Sequence, residues 1–391
     1  MGDISYMRLA LRLARRGYGT TSPNPMVGAV LVRGGKIIGR GWHRRAGEPH
    51  AEIEALRDAQ RRGHSAKGAT LYVTLEPCST QGRTPPCTQA IVAAGIKRVV
   101  AGATDPNPRH RGRAFRILKR AGLDVTHGVM ARECEWLNEA FNHWIIQRTP
   151  FVTVKAGMTL DGKIATAAGE SRWITGEQAR AWAMKLRQGS DAILVGINTV
   201  LADDPSLTVR GPWSVVHGPG RRRIVLDAQA RTPLKAKVVS DESADLTTIV
   251  VSELAPRGRV AALAKQVKVL VAPVAKAGAA IERKQFEVAH RAGRLTLDLR
   301  WLLKELGAQN VTSLLVEGGG EVNASFLLQG LAQRIMFFYA PKILGGRDSR
   351  RAVAGDGASG LDEILNLSNL EWRCLGTDLL LTARVVGRCG R

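Results

Sequence analysis

Three side chains restrict this sequence more than anything else in it: His50, Cys78 and Cys87. One imidazole and two thiolates supply three protein ligands to a tetrahedral zinc ion and leave the fourth position for water, which separates a catalytic zinc from a structural one. His50-Ala51-Glu52 opens a helix, and Pro77-Cys78 opens a segment that ends with Cys87. Glu52, two residues beyond His50 on that helix, points elsewhere and need not bind metal. It is placed instead to take a proton from zinc-bound water and deliver it to a ring and a leaving amine. The competing reading is a surface loop with two incidental cysteines and a helix-capping histidine. The order His, Glu, Pro-Cys, Cys weighs against it.

That order is the one zinc deaminases use, in which hydroxide attacks an amine-bearing ring carbon. The general signature has two residues between its cysteines, whereas Ser79–Pro86 puts eight between Cys78 and Cys87. The remaining cysteines, Cys134, Cys374 and Cys389, make an odd total of five and are sparsely placed, which argues against a disulfide framework.

A chain of 391 residues exceeds one comfortable core, and at about 150 residues per domain two or three are expected. Apolar residues at 45% and charged residues at 23% argue against disorder. No stretch approaches the roughly 18 apolar residues of a membrane helix, so no membrane partner is expected. Tyr6, Leu9, Ala10, Leu13 and Ala14 fall at helical spacing among Arg8, Arg12, Arg15 and Arg16. With Asp3 present and Thr21-Ser22-Pro23-Asn24-Pro25 following directly, this reads as a first helix packed on a sheet rather than a transit peptide, and the protein as cytoplasmic. The net charge of +23 is compatible with a nucleic-acid partner, an anionic substrate or an arginine-rich composition, and the arginines form no basic tail.

The first part alternates helix and strand: helix about 4–17, strands 28–32 and 36–42, helix 50–62, strand 70–75, helix 86–94, strand 98–101 and helix 112–121. The pattern breaks around 141–150, and Arg148-Thr149-Pro150 reads as a linker. A second run opens with strand 151–156, a Thr175/Gln178 capping box, buried strand 192–196 and strand 223–227 after a Pro/Gly/Arg-rich loop at 211–223. Strand 313–316 then leads through Glu317-Gly318-Gly319-Gly320 into a helix. Two α/β domains, 1–147 and 150–391, follow. Gly355-Asp356-Gly357-Ala358-Ser359-Gly360 matches a dinucleotide fingerprint by letter, but without a βαβ context it reads as a loop.

The long loop Pro77–Cys87 resembles that of the riboflavin-pathway diaminopyrimidine deaminases, and three flanking motifs agree: Asn24-Pro25-Met26-Val27-Gly28, Gly41-Trp42-His43 with Gly47 and His50-Ala51-Glu52, and Asp105-Pro106-Asn107-Pro108. The second half is similar to the pathway's reductase through Lys155 with Leu160-Asp161-Gly162-Lys163, Ser171-Arg172-Trp173-Ile174-Thr175, the run Leu201–Arg210, Glu317-Gly318-Gly319 and the run Ala340–Gly346. The resemblance covers essentially the whole chain, in order. It implies a cytidine-deaminase-like α/β/α domain followed by a dihydrofolate-reductase-like α/β domain. It further implies zinc-dependent deamination of a diaminohydroxy-phosphoribosylaminopyrimidine, then reduction of the ribosyl chain to ribityl with NADPH.

By the family's pattern His50, Cys78 and Cys87 hold one zinc per chain, and Asn24, His43, Asp105 and Asn107 shape the pyrimidine pocket. Ser171, Arg187, Leu207, Arg210 and Glu317 hold the phosphorylated substrate of the reductase. Gly157, Trp173, Thr199, Asp203 and Gly318, Gly319 and Gly320 meet NADPH, with Glu52, Lys155 and Asp203 as the catalytic groups. A homo-oligomer, dimer or tetramer, is expected.

Unaided by the family, the second half says less. A glycine-rich strand-to-helix turn offers amides to a phosphate, yet is often a tight connection. Arg187 and Arg210 can pair a phosphate by forked bonds, but single arginines usually face solvent. Asp203-Asp204-Pro205 can be a plain turn. Lys155 in an apolar strand needs a partner or a role, and protonating the opened sugar is one. His110, His127, His143 and His217 lack partners at ligand spacing. A tRNA-type deaminase with a non-reductase second domain is the alternative that the charge favours. Only 5% of residues are aromatic, and that alternative leaves the second half unexplained, so no nucleic-acid partner is expected.

Overall fold

The computed structural model describes residues 2–80, 85–210, 220–274 and 297–388. Inter-cysteine residues 81–84, loop residues 211–219 with His217, and Cys389 lie outside the described residues. The rest falls into two compact units, one up to Arg148 and one from Thr149. No helix among the described residues is long and apolar enough to cross a membrane.

The first unit begins with α1 (Asp3–Ala14), whose buried Tyr6, Met7, Ala10, Leu11, Leu13 and Ala14 form the apolar stripe read from the sequence. Strands β1 (Gly28–Arg33) and β2 (Lys36–Trp42) precede α2 (Ala51–Arg61). Then come β3 (Thr70–Leu75), α3 (Cys87–Ala93), β4 (Arg98–Ala103), α4 (Arg113–Arg120) and β5 (Asp124–His127). The sheet order is β2-β1-β3-β4-β5. The sequence reading closed this sheet at β4; β5, only four residues long and mostly accessible, extends it in parallel. The break expected around 141–150 is also corrected. Helices α5 (Ala131–Leu137) and α6 (Glu139–Gln147) run up to Arg148, whose left-handed backbone ends the unit.

The topology explains why distant residues meet. β1 runs antiparallel to both β2 and β3, so β2 and β3 point the same way, and β4 is parallel to β3. The segments following β2, β3 and β4, and the one preceding β1, therefore open on one edge of the sheet. Asn24, His43, His50, Cys78, Cys87, Asp105 and Asn107 all belong to those segments. Open α/β sheets bind ligands at this edge.

Close helix–strand packing positions α2. A Cβ on Gly39 would sit 2.3 Å from the Ala55 carbonyl oxygen, and one on Gly41 2.2 Å from that of Ala51. Ala51, Ala55 and Ala59, one turn apart, are buried against this glycine face. Small residues on both sides let the helix backbone lie directly on the strand.

The second unit is built on a sheet of order β11-β10-β9-β8-β12-β6-β13-β16-β15. In chain order its strands are β6 (Phe151–Thr159), β8 (Ala192–Gly196), β9 (Arg222–Leu226), β10 (Thr247–Ser252), β11 (Lys268–Ala272), β12 (Ser313–Val316), β13 (Arg334–Ala340), β15 (Leu365–Leu375) and β16 (Asp378–Arg388). Short strands β7 (Lys163–Ala165) and β14 (Arg350–Arg351) pair separately. Pairing is parallel from β11 to β13 and antiparallel beyond. Apolar cores lie against both faces, one led by Val152, Leu194 and Phe326 and the other by Ile193, Val225 and Val239.

Helix α7 (Glu177–Gln188) follows the expected capping box, but the box does not form. Gly176 is the N-cap, no side chain caps it, and its N–H donates to Asp378 Oδ2 at 2.6 Å. A distant carboxylate thus takes the place of the local Thr175 and Gln178 side chains. The fingerprint-like 355–360 segment follows two-residue β14 and leads only into a 3-10 turn at Leu361–Glu363, so its loop reading holds.

Candidate active sites

In the first unit His50 is the N-cap of α2, and Cys87 is the first residue of α3. His50 Nδ1 lies 3.3 Å from Cys87 Sγ and 3.5 Å from Cys78 Sγ, and the three ligand atoms fall within 4.8 Å of one another. Zn–S near 2.3 Å and Zn–N near 2.0 Å at tetrahedral angles put ligand atoms about 3.6 Å apart. The donor set and its spacing therefore fit zinc. Cys78 Sγ also accepts the Cys87 N–H at 3.2 Å. Hydrogen bonds from Cys87 and His50 bring the Cys78 thiol down to about 4, and its thiolate raises the proton affinity of His50. The Cys87 thiol is pushed up, chiefly by donating to Cys78 and by burial. Metal binding releases such protons. Cys134, buried on α5, and exposed Cys374 are not part of this cluster.

Glu52 is 3% exposed. Burial drives its carboxyl above the usual range against the opposing pull of His50. His43, also buried, stacks edge-on to His50 with ring centres 5.4 Å apart. Its Nδ1 lies 3.1 Å from the Pro49 carbonyl oxygen, which can only accept, so Nδ1 carries the proton and Nε2 accepts from Asn24 Nδ2 at 3.1 Å. Burial lowers the proton affinity of His43, which keeps this neutral tautomer. Asp105 Oδ1 accepts the Asn107 N–H at 2.8 Å, and burial raises its carboxyl.

One residue escaped the sequence reading. Buried Glu76, directly after β3, accepts N–H groups from Asp105 (3.0 Å), Gly112 (2.9 Å) and Ala114 (2.9 Å). It ties the loop bearing Asp105 and Asn107 to the start of α4. The only local signal was a carboxylate at the end of an apolar strand. Of the other histidines, His127 stacks on Phe115 and His110 buries Nδ1 without a hydrogen bond.

In the second unit, β12 pairs Val316 with Val154 of β6 and Leu194 of β8, so Glu317, Lys155 and the chain after β8 share one edge. Arg187 Nε and Nη2 donate to the two Glu317 oxygens at 2.9 and 2.8 Å, while Nη1 donates to the Thr208 carbonyl at 3.0 Å. Burial opposes ionisation of Glu317, but Arg187 and Lys155 together hold its carboxyl at about 2. The Arg187 fork expected to face a phosphate is thus largely engaged with Glu317. Lys155 Nζ lies 5.9 Å from the Phe338 ring centre.

Ser171 Oγ donates to Asp203 Oδ1 at 3.1 Å, and Arg172 to the Asp203 carbonyl at 2.8 Å, at the end of α8 (Ile197–Asp203), which also carries half-buried Thr199. Trp173 is 66% exposed beneath the Arg180 guanidinium, 4.7 Å from its ring. Leu207 buries its side chain with φ 51°, and Arg210 bonds Ser206 Oγ. The glycines after Glu317 separate by role. Added Cβ atoms on Gly318 and Gly320 would strike Val322 and the Arg351 carbonyl, so those two serve packing. Gly319, the N-cap of helix Gly320–Leu328, faces open space. This bare helix start fits a phosphate group, while a Cβ on Gly157 would come within 3.2 Å of Thr175.

Residues 2–103 match the cytidine and deoxycytidylate deaminase zinc-binding region, and residues 150–381 match the RibD C-terminal domain. Riboflavin biosynthesis protein RibD of Aquifex aeolicus is 43% identical over 97% of this chain and 97% of its own length. The Acinetobacter baumannii RibD structure (form 1) is 34% identical with a TM-score of 0.83, covering 98% of this chain and 99% of that one. A Thermotoga maritima structure described as a diaminohydroxyphosphoribosylaminopyrimidine deaminase and phosphoribosylaminouracil reductase is 32% identical, covers 98% of each chain and has a TM-score of 0.79. The second-half match disfavours the tRNA-type alternative, which has no reductase. With a zinc-binding deaminase region, a reductase domain that takes a nicotinamide cofactor and full-length likeness on both counts, the chain belongs to the RibD family of bifunctional riboflavin biosynthesis deaminase–reductases.

Proposed function

We propose that residues 1–147 remove the ring amino group of a diaminohydroxy-phosphoribosylaminopyrimidine and that residues 150–391 then reduce its ribosyl chain to ribityl with NADPH. The activity named for the Thermotoga maritima relative supports this substrate. The observation that carries the reading is the convergence of His50, Cys78 and Cys87 beside buried Glu52. Those three residues would hold one zinc per chain, which would supply Lewis acidity and activate a water.

Glu52 holds and moves the proton. In its dry surroundings the carboxyl has raised proton affinity, so it can accept a proton and return it to the departing amine. Neutral His43, fixed by Pro49 and Asn24, presents a polar wall of defined tautomer to the pyrimidine, and Asp105 and Asn107 close it from the loop that Glu76 anchors. In the second unit Gly319 and the helix start behind it cradle the phosphates of NADPH, and Trp173, Thr199 and Asp203 line its path. Lys155 is the group that protonates the opened sugar. Arg210 and Ser171 meet the substrate phosphate, and Arg187, oriented by Glu317, contributes its remaining N–H groups.

Glu52→Gln tests the division of labour. Zinc content stays unchanged, ammonia release falls by roughly a hundredfold or more, and reduction of supplied deaminated substrate proceeds at the parent rate. Undiminished ammonia release by the variant would remove Glu52 from the chemistry.

A further inference from the structure

β2 is one of the two edge strands of the first unit's sheet among the described residues, and beside it lies a cavity of about 310 Å³ between α1, β2 and α2. Its lining contains none of His50, Glu52, Cys78, Cys87, Asn24 or His43. The apolar part is made by Leu9, Leu13 and Trp42. Around it stand Arg16, Arg40, Arg44, Arg61 and Arg62, against the two carboxylates Glu54 and Asp58.

Those carboxylates do not neutralise the wall. Glu54 is shared between Arg44 (3.5 Å) and Arg57 (3.2 Å), and Asp58 between Arg61 (3.6 Å) and Arg62 (3.0 Å) while also accepting the Arg40 backbone N–H. The guanidinium groups of Arg16 and Arg40 form no ion pair among the described residues. Arg16 and Arg44 are held over the Trp42 ring, their Cζ atoms 4.9 and 4.6 Å from its centre. A guanidinium resting on an indole face keeps its rim N–H groups free, in an orientation set before any ligand arrives.

We propose that this cavity binds a small phosphate monoester, at a site separate from both reactions. Forked guanidinium donors match the several oxygens of a phosphate, and a dianion relieves the repulsion among five like charges. The apolar floor accepts the carbon part of an ester. The volume sits at the small end of ligand pockets, right for a sugar phosphate. A nucleic-acid strand would instead need exposed rings for its bases to stack on, and the one aromatic here is covered by arginines. The proposal does not rest on the assigned deaminase and reductase activities.

Zinc-loaded full-length protein is titrated with ribose 5-phosphate, inorganic phosphate and ribose. Hydrogen–deuterium exchange is followed on peptides covering Leu9–Arg16, Arg40–Arg44 and Glu54–Arg62, which read this cavity separately from the catalytic sites. Ribose 5-phosphate protects these peptides at lower concentration than inorganic phosphate, and ribose does not. Arg16→Gln and Arg40→Gln each weaken the protection by about tenfold or more, with zinc content and ammonia release unchanged.

Absence of protection, undiminished protection in Arg16→Gln and Arg40→Gln, or equal potency of phosphate and its ester would overturn the proposal. Tighter protection by a single-stranded oligonucleotide would replace it with a nucleic-acid surface. Protection that depends on protein concentration and ignores phosphate would replace it with contact between copies.

Discussion

Replacing Glu317 by glutamine isolates the electrostatics of the reductase unit. The side chain is 8% exposed, so solvent screens its pairing with Arg187 little. The Glu317 carboxyl falls from its ordinary 4.5 to about 2 in the folded protein. At about 1.4 kcal/mol for each tenfold change in proton affinity, that gap corresponds to roughly 3 kcal/mol of stability at neutral pH. Breaking a buried pair by removing one partner costs a similar 3–5 kcal/mol or so. Because the folded-state value is depressed, the stabilisation is fully present above the ordinary carboxylate range and fades as pH falls through about 4.5 towards about 2. Urea unfolding of parent and Glu317→Gln protein, followed by tryptophan fluorescence, should show a second-unit transition weakened by roughly 3 kcal/mol at neutral pH. The two proteins should converge on acidification. A difference below about 0.5 kcal/mol, or one that stays constant with pH, would refute the reasoning.

Gly41→Ala forces a Cβ to within 2.2 Å of the Ala51 carbonyl oxygen, so α2 must shift. The cost is about 1–3 kcal/mol or more, and because His50 caps that helix, competition with a chelator should show weaker zinc retention than in the parent. Glu76→Gln keeps the shape but gives up a charged acceptor of three N–H groups. KM for deamination should rise about tenfold with kcat changed less and zinc content unaltered. An unchanged KM in steady-state assays would show that the Asp105–Asn107 loop needs no such anchor.

The deaminase site was largely legible because its chemistry is concentrated in short motifs at strand ends. His50, Cys78 and Cys87 announce themselves by residue type and order, and the topology then brings them together. The need for Gly39 and Gly41 was not legible: a strand containing glycines looks merely weak until a helix backbone is seen lying on it. Glu76 hid for a related reason, since its partners are 29 to 38 positions away and are backbone groups with no side-chain signature. Thr175 and Gln178 misled because Asp378, 202 positions from Gly176, supplies the cap. The Arg187–Glu317 pair was not legible either, since nothing local reveals Glu317, 130 positions on, as a partner. Segment 139–147 obscured its own helix, because Trp144-Ile145-Ile146 favours strands and only Trp144 is buried.

The most direct test of the two-step assignment is mass spectrometry of the products formed from the diaminohydroxy-phosphoribosylaminopyrimidine by zinc-loaded protein, with and without NADPH. The account predicts exchange of one ring amine for oxygen in both samples, and the reduced ribityl product only with NADPH. Unchanged substrate in both, from folded protein that retains its zinc, would contradict it.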